Sequence, residues 1–135
     1  MSEVYIGMGT CGLATGAEKV YEAVNAWGEE NGHPIKITPT GCIGFCQVEP
    51  IMDVVTSEGN RISFGNVTEK NAGSILTAIL KDKNYSFEGL LGQHNNGKAP
   101  LSGVPMLSDH PFFKKQVKYA LRNCGVINPE SLEDY

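Results

Sequence analysis

A glycine-rich turn containing two cysteines separates two apolar runs in the first half of this 135-residue chain. The turn, Pro39–Cys46, spaces Cys42 and Cys46 as Cys-x3-Cys, and Cys11 lies in a second glycine-rich segment upstream. Glycine lets the backbone fold tightly and direct its N–H groups inward. Such N–H groups hydrogen-bond cysteine sulfurs and offset their negative charge, as a sulfur-ligated iron centre requires. The pattern therefore predicts electron transfer.

Composition restricts the class of protein. The 41% apolar content suits a modest globular core, and the net charge of -4, without a basic run, gives no basis for nucleic-acid binding. The apolar runs are shorter than the roughly 20 residues of a membrane span. The acidic, strand-like run Met1–Ile6 does not resemble a secretory signal, so we expect a cytoplasmic protein. In a reducing compartment, clustered cysteines indicate metal or redox chemistry rather than disulfides.

Two other cysteine chemistries fit less well. Structural zinc sites use four nitrogen or sulfur ligands, usually in Cys-x2-Cys or longer knuckles, whereas here one Cys-x3-Cys pair has a single partner about thirty residues upstream. A thiol–disulfide oxidoreductase relies on Cys-x-x-Cys at a helix N-terminus, and the sequence contains no such motif. Cys42 and Cys46 could still form a disulfide in a cluster-free preparation.

The order of predicted elements indicates an α/β fold. The first strand–helix–strand unit predicts a parallel pair with a right-handed crossover, and the later hairpin adds antiparallel strands. Two helices on a four-stranded mixed sheet form a thioredoxin-like arrangement. Strands are predicted at 4–8, 35–38, 50–56 and 61–64, and the apolar stripes of the helices run from Ala17 to Trp27 and from Ala72 to Leu80.

The remaining third of the chain has a different character. Residues 83–110 are rich in glycine, asparagine and proline and are predicted to be a linker after a first domain at 1–82. From Pro111 to Arg122, a proline in the first turn and an apolar face that includes Phe113 predict a C-terminal helix. Residues 111–135 have too little apolar surface to fold alone, so this segment is expected to lead into another domain.

Two motifs resemble a known family. Thr40–Cys46 followed by Glu49-Pro50, and Phe64–Thr68, are similar to the thioredoxin-like 2Fe–2S ferredoxins. These occur as small subunits of NADH dehydrogenases and NAD(P)-reducing hydrogenases, and as the N-terminal domain of the flavin-bearing NADH-oxidising subunit. The tail, at Pro111–Val117, Leu121–Gly125 and Asn128–Ser131, resembles the lead-in to the FMN- and NADH-binding domain of that subunit.

The resemblance implies a 2Fe–2S cluster held by Cys11, Cys42 and Cys46, with FMN and NAD(P)H bound only on an absent domain. The family has two cysteines in its first loop, whereas here Gly7 or Gly12 stands where the second sulfur is expected. A 2Fe–2S cluster takes four ligands. The fourth ligand could come from a partner protein or from one of three side chains, or no cluster binds. Those side chains are Cys124, Thr10 and His33.

The function implied by the resemblance is that of an electron-transfer module in an NADH:acceptor oxidoreductase or NAD(P)-reducing hydrogenase complex. The fragment is not expected to be catalytic alone, and its expected partners are other subunits of a redox complex or a second copy of the chain. The alternative is a cluster-free scaffold that docks the flavin subunit, for which the missing cysteine is the main support. Glu49 would lower a nearby redox potential, although a structural role at the start of the next strand is the favoured interpretation.

Overall fold

The computed structural model describes residues 2–134, so Met1 and Tyr135 of the expected segments 1–82 and 111–135 lie outside it. Five strands form one mixed sheet in the order β2-β1-β3-β4-β5. The strands are β1 (Ser2–Gly7), β2 (Ile35–Thr40), β3 (Met52–Val55), β4 (Arg61–Phe64) and β5 (Leu90–Gln93). The helices are α1 (Thr10–Thr15), α2 (Ala17–Glu30) and α3 (Glu69–Leu76), which continues as a π-helical turn at Thr77–Lys81; short 3-10 turns lie at Cys46–Val48 and Leu107–Asp109.

The predicted mixed topology is confirmed. Strand β1 pairs in parallel with β2 across the α2 crossover, and antiparallel with β3 on its other side. Strands β3 and β4 form the predicted antiparallel hairpin. Helix α3 begins at a capping box, in which the Thr68 hydroxyl accepts from the Asn71 N–H group while the Asn71 side chain accepts from the Thr68 N–H group.

The two longer helices cover one face of the sheet. Helices α2 and α3 pack against each other and against alternate residues of the central strands, because successive strand side chains point to opposite faces. The main core therefore lies between this helical layer and the sheet. Its fully buried members include Val4, Ile6, Val20, Val24, Met52, Val54, Ile62, Phe64, Ile75 and Leu76.

Two expectations for the second half of the chain are wrong. The sheet has five strands rather than four, because residues 90–93 of the expected linker form β5 beside β4. The helix expected from Pro111 to Arg122 is absent, and this segment forms a series of turns. Only one residue of its apolar stripe, Phe113, is buried, whereas Val117 is 76% exposed and Leu121 is 47% exposed. A short helix, α1, also forms in the first glycine-rich segment, which was expected to be a turn.

The tail covers the second face of the sheet without regular structure. Phe113 is buried in a small cluster with Phe45, Ile51 and Leu91. The Phe112 ring stacks on the Phe45 ring with centroids 4.0 Å apart. A cavity of about 290 Å³ remains between the tail and this face of the sheet. The segment that carries Cys42 and Cys46 is therefore packed against the tail on one side.

Candidate metal centre

The three cysteines singled out by the sequence converge at one edge of the sheet. The Cys11 Sγ atom lies 2.8 Å from the Cys46 Sγ atom, and the Cys42 and Cys46 Sγ atoms are 3.5 Å apart. All three Sγ atoms lie within 4.8 Å of one another. The prediction that two distant loops bring their sulfur atoms together is therefore confirmed, and one small metal group could contact all three thiols.

Parallel pairing of β1 and β2 explains this convergence. The register places Gly7 opposite Thr40, so both strands end at the same edge of the sheet. The Met8 N–H group donates to the Thr40 carbonyl oxygen at 2.9 Å, which continues the pairing to the start of both loops. The first cysteine then lies in α1, directly after β1, and the other two follow β2.

The second loop directs a backbone N–H group at a sulfur atom, as the sequence predicts. Gly44 has a φ of 86°, a conformation that glycine adopts without strain. Its N–H group donates to the Cys42 Sγ atom at 3.2 Å. Cys11 and Cys42 are half-buried whereas Cys46 is exposed, so the group of thiols opens to the protein surface.

The surroundings of Cys42 and Cys46 disfavour ionisation of these two thiols. Burial raises the pKa of Cys42, and the hydrogen bond with Cys11 raises the pKa of Cys46. Metals bind the thiolate rather than the thiol. Metal binding at this site will therefore release protons and strengthen as the pH rises.

A buried carboxylate lies beside the first loop. Glu49 is 7% exposed, and its Oε2 atom accepts a hydrogen bond from the Ile51 N–H group at 2.9 Å. Burial raises the pKa of Glu49. A Cβ atom built on Gly7 would lie 3.0 Å from Oε2 and 3.3 Å from Oε1 of this side chain. The carboxylate therefore occupies the space that a side chain at position 7 would enter.

The two glycines of the first loop are not equivalent. A Cβ atom on Gly12 would overlap the Gly7 carbonyl oxygen and lie 2.9 Å from the carbonyl carbon. No side chain fits at position 12 with this backbone. Position 7 is therefore the place at which a second sulfur of the first loop could have stood.

The three side chains expected as candidates for a fourth ligand lie at different distances along the fold from the thiols. Cys124 is half-buried in the tail and lines the same cavity as Glu49, but it is not part of the group of close thiols found among residues 2–134. His33 hydrogen-bonds the Ser2 hydroxyl at 2.7 Å, at the far end of β1 from the cysteines, so it cannot be a ligand. Thr10 is exposed at the first position of α1, next to Cys11.

Sequence reasoning assigned Glu49 a structural role and missed its position against Gly7. Its burial depends on the pairing of β1 with β3, which brings chain segments far apart in sequence together. The available signal was a carboxylate placed immediately before a proline at the start of a buried strand. Such a position leaves the side chain little access to water.

The arrangement fits an iron–sulfur group. Thiolates are soft donors that select iron–sulfur clusters, copper or zinc, and a sulfur atom that accepts a backbone hydrogen bond is typical of cluster sites. The donor set therefore has the chemistry that an iron–sulfur cluster needs, in a shallow site at the protein surface.

A second polar group lies on the sheet face beneath the tail. The Arg61 guanidinium binds the Asp53 carboxylate at 2.6 Å, and the Ser63 hydroxyl donates to the same carboxylate at 2.6 Å. The His94 Nε2 atom lies 2.8 Å from the Ser63 hydroxyl oxygen. These side chains therefore form a polar network beneath the tail that joins β3, β4 and the residue after β5.

Comparison with solved structures identifies the fold. A wild-type structure of the thioredoxin-like 2Fe–2S ferredoxin from Aquifex aeolicus matches with a TM-score of 0.56 at 19% identity, over 67% of this chain and 96% of that chain. A second structure of this ferredoxin gives 0.54 at 20% identity, over 74% and 96%. A cysteine-to-serine variant gives 0.56 at 18% identity, over 67% and 98%. The fold is therefore thioredoxin-like, as the motifs indicated.

The chain is also similar in sequence to a hydrogenase subunit. The chain is 24% identical over 89 residues to the NADP-reducing hydrogenase subunit HndB of Solidesulfovibrio fructosivorans, over 65% of this chain and 70% of HndB. No protein-family model matches the chain. Among the helices of residues 2–134, none combines the length and apolarity that a bilayer crossing would demand.

Proposed function

We propose that this chain, whose fold is that of the thioredoxin-like 2Fe–2S ferredoxins, is an electron-transfer module that holds a 2Fe–2S cluster on Cys11, Cys42 and Cys46. The single observation that carries the proposal is the convergence of these three thiols from two separate loops. When bound, the cluster would supply reversible one-electron transfer at this edge of the sheet. The protein contributes the ligands, the hydrogen bond to sulfur and the position near the surface.

The chain's own residues suit this role. The Gly44 N–H group offsets negative charge on the Cys42 sulfur. Cys46 is exposed and Leu13, in the same helix as Cys11, is 47% exposed. A redox partner can therefore approach one side of the site directly, and the apolar Leu13 side chain offers it a contact.

The partners in this proposal are the other subunits of an NAD(P)-dependent redox complex. HndB is, by its name, a subunit of an NADP-reducing hydrogenase, and the similarity over most of HndB supports a comparable setting. The tail at 111–135 resembles the lead-in to a flavin-bearing domain. We therefore place FMN and NAD(P)H on a domain outside these 135 residues, in a cytoplasmic complex. The cluster would pass electrons between that flavin and further redox centres.

The cluster-free docking scaffold is not favoured. A scaffold has no need to keep three thiols within 4.8 Å of one another at the ends of two paired strands. Thiols at such close range in a reducing compartment are expected to bind metal. The remaining support for a scaffold is the missing fourth cysteine.

The proposal is tested by metal and sulfide analysis of the full chain expressed and purified without oxygen. We expect about two irons and two acid-labile sulfides per chain, visible absorption bands and, after reduction, the electron paramagnetic resonance of a 2Fe–2S centre. Cys46→Ser should abolish these signals, whereas Cys124→Ser should keep them. Zinc without sulfide would instead identify a structural metal site, and a colourless, metal-free protein after anaerobic reconstitution would support the scaffold.

A further inference from the structure

We propose that the Glu49 carboxylate supplies the fourth ligand of the metal centre, in place of the second cysteine of the first loop. This inference rests on the proposed cluster function and names the residue that completes its ligand set. It gives the site three thiolates and one carboxylate oxygen, an oxygen donor on iron in place of a sulfur donor. The argument comes from the position, the burial and the attachment of this side chain.

The position of Glu49 matches the position of the missing ligand. Gly12 cannot carry a side chain, because a Cβ atom there would overlap the Gly7 carbonyl oxygen. Of the two glycines at which the second cysteine was expected, only position 7 could therefore have carried it. The space in front of Gly7 holds both carboxylate oxygens of Glu49, at 3.0 and 3.3 Å from the place of a Cβ atom. The Glu49 side chain, from the second loop, thus occupies the space that a cysteine at position 7 of the first loop would have used.

The charge of Glu49 is otherwise unbalanced. The side chain is 7% exposed, and its one hydrogen bond among residues 2–134 is the one that Oε2 accepts from the Ile51 N–H group. No lysine, arginine or histidine of the described chain forms a salt bridge with it. Buried carboxylates are normally paired with a cation or bound to a metal, since isolation from water is costly. A metal ion beside the three thiols would provide the missing positive charge.

The backbone attachment of Glu49 ties it to the loop that carries two of the thiols. Glu49 directly follows the 3-10 turn Cys46–Val48, and its N–H group donates to the Cys46 carbonyl oxygen at 3.2 Å. The Gly7 N–H group in turn donates to the Ile51 carbonyl oxygen at 3.0 Å. The carboxylate is therefore fixed between the loop that carries two of the thiols and the end of β1. Cys124, the rival ligand, reaches the same cavity from the tail. Among the described residues, neither Glu49 nor Cys124 belongs to the group of three thiols within 4.8 Å of one another, so either side chain would bind from outside that group.

The first test compares two Glu49 variants with a matched control in the full chain, reconstituted without oxygen. Glu49→Ala removes the ligand, and Glu49→Gln keeps an oxygen that can accept from the Ile51 N–H group but loses the charge. Both should lose visible absorption to an iron chelator roughly 10-fold faster than the wild type, or faster still. Glu30→Ala, at an exposed carboxylate at the end of α2, should match the wild type. Equal thermal unfolding midpoints of the iron-free Glu49→Gln protein and the wild type would show that the fold is unaffected.

The second test restores a sulfur ligand. The double variant Gly7→Cys with Glu49→Ala replaces the carboxylate by a cysteine in the space that Glu49 vacates. We expect it to regain the slow iron loss of the wild type with changed absorption and electron paramagnetic resonance spectra. Mössbauer spectroscopy of the oxidised wild type should resolve two unequal iron sites, because an oxygen ligand and a sulfur ligand give iron different isomer shifts. This last measurement needs no variant.

Two results would overturn the inference. One is that Glu49→Ala and Glu49→Gln lose iron at the wild-type rate with the wild-type spectrum. The other is that Cys124→Ser alone shortens the lifetime of the cluster. In both cases the wild type still contains iron and sulfide, so the electron-transfer proposal survives. A wild type that binds no iron would instead contradict the proposed function itself.

Discussion

Gly12, in α1, lies close to the Gly7 carbonyl group at the end of β1. A single extra methyl group at this position would meet the Gly7 carbonyl group. Cys11, which directly precedes Gly12 in the chain, carries one of the three thiols. The spacing between strand and helix at this point therefore determines where the Cys11 sulfur atom lies relative to the second loop.

At this residue we predict that Gly12→Ala destabilises the protein. Alanine favours a helix by about 1 kcal/mol over glycine, but the overlap with Gly7 should outweigh this and lower the free energy of unfolding by about 2 kcal/mol. Gly41→Ala is the matched control, since a Cβ atom there meets nothing within 4 Å. It should stay within about 0.5 kcal/mol of the wild type. Urea unfolding measures both, and equal values would show that α1 can move away from β1.

At the scale of elements, the strongly periodic segments were predictable and the irregular ones were not. Helices α2 and α3 and strands β1 to β4 have apolar patterns that match their own period, so local sequence was enough. Strand β5 is four residues long and contains a glycine, and it forms because β4 offers it an edge. The tail has a helical apolar pattern but forms no helix, and only Phe113 of that pattern is buried. The thiol site was predictable because it follows from strand order, whereas the position of Glu49 depends on side-chain burial.

Gln93 shows what holds β5 and the segment after it in place. Its buried amide donates to the Leu101 and Val104 carbonyl oxygens at 3.1 and 2.7 Å, and accepts from the Leu101 N–H group at 2.9 Å. These bonds join β5 to a loop that has no regular structure of its own. Gln93 lies in a segment whose composition predicts a polar linker, yet its hydrogen bonds stabilise the packing of that segment against the sheet.

We predict that Gln93→Ala lowers the free energy of unfolding by about 2–4 kcal/mol, because it leaves buried backbone groups without partners. Asn96→Ala is the control, since the Asn96 side chain is exposed; it donates to the Gly59 carbonyl oxygen at 2.8 Å and accepts from the Lys98 N–H group at 3.3 Å. Its effect should be about 1 kcal/mol or less. Chemical denaturation of both variants checks this. Equal and small effects would mean that residues 83–110 behave as the linker that the composition indicated.

At the scale of the whole molecule, the sheet separates two unlike layers. One face is covered by α2 and α3 over a large apolar core. The other is covered by the tail, through a small aromatic cluster and a buried ionic network. The Arg61 guanidinium also donates to the Gly125 carbonyl oxygen, which ties the tail to this network. The tail therefore contributes to the fold even though it forms no helix.

For the aromatic cluster we predict that Phe113→Ala lowers the free energy of unfolding by about 3 kcal/mol, because Phe113 is 7% exposed and its removal leaves a cavity. Tyr119→Ala, at a side chain that is 84% exposed, should change it by less than about 0.5 kcal/mol. Thermal unfolding and the rate of limited proteolysis within the tail would show both effects. A tail that is cleaved equally fast in both variants would mean that Phe113 does not hold it.

For the ionic network we predict a loss of stability in acid. Burial opposes ionisation of Asp53, but the hydrogen bond from His94 and the charge of Arg61 together lower the pKa of its carboxyl group. A carboxyl group with a lowered pKa in the folded state stabilises the fold above its unfolded pKa of about 4, and this contribution disappears as the pH falls through the lower, folded value. The difference in unfolding free energy between wild type and Asp53→Asn should therefore be constant near neutral pH and shrink below about pH 4. Urea titrations across that range test it, and a constant difference would contradict the assignment.

The parallel pair β1–β2 has a consequence for how the protein matures. One thiol is attached to the first strand of that pair and two to the second, so a chain that has not yet joined these strands offers a metal only two neighbouring sulfurs. Metal binding will therefore be coupled to folding. Only a chain in which β1 and β2 have paired presents all three sulfurs, and a misfolded chain will stay metal-free and colourless.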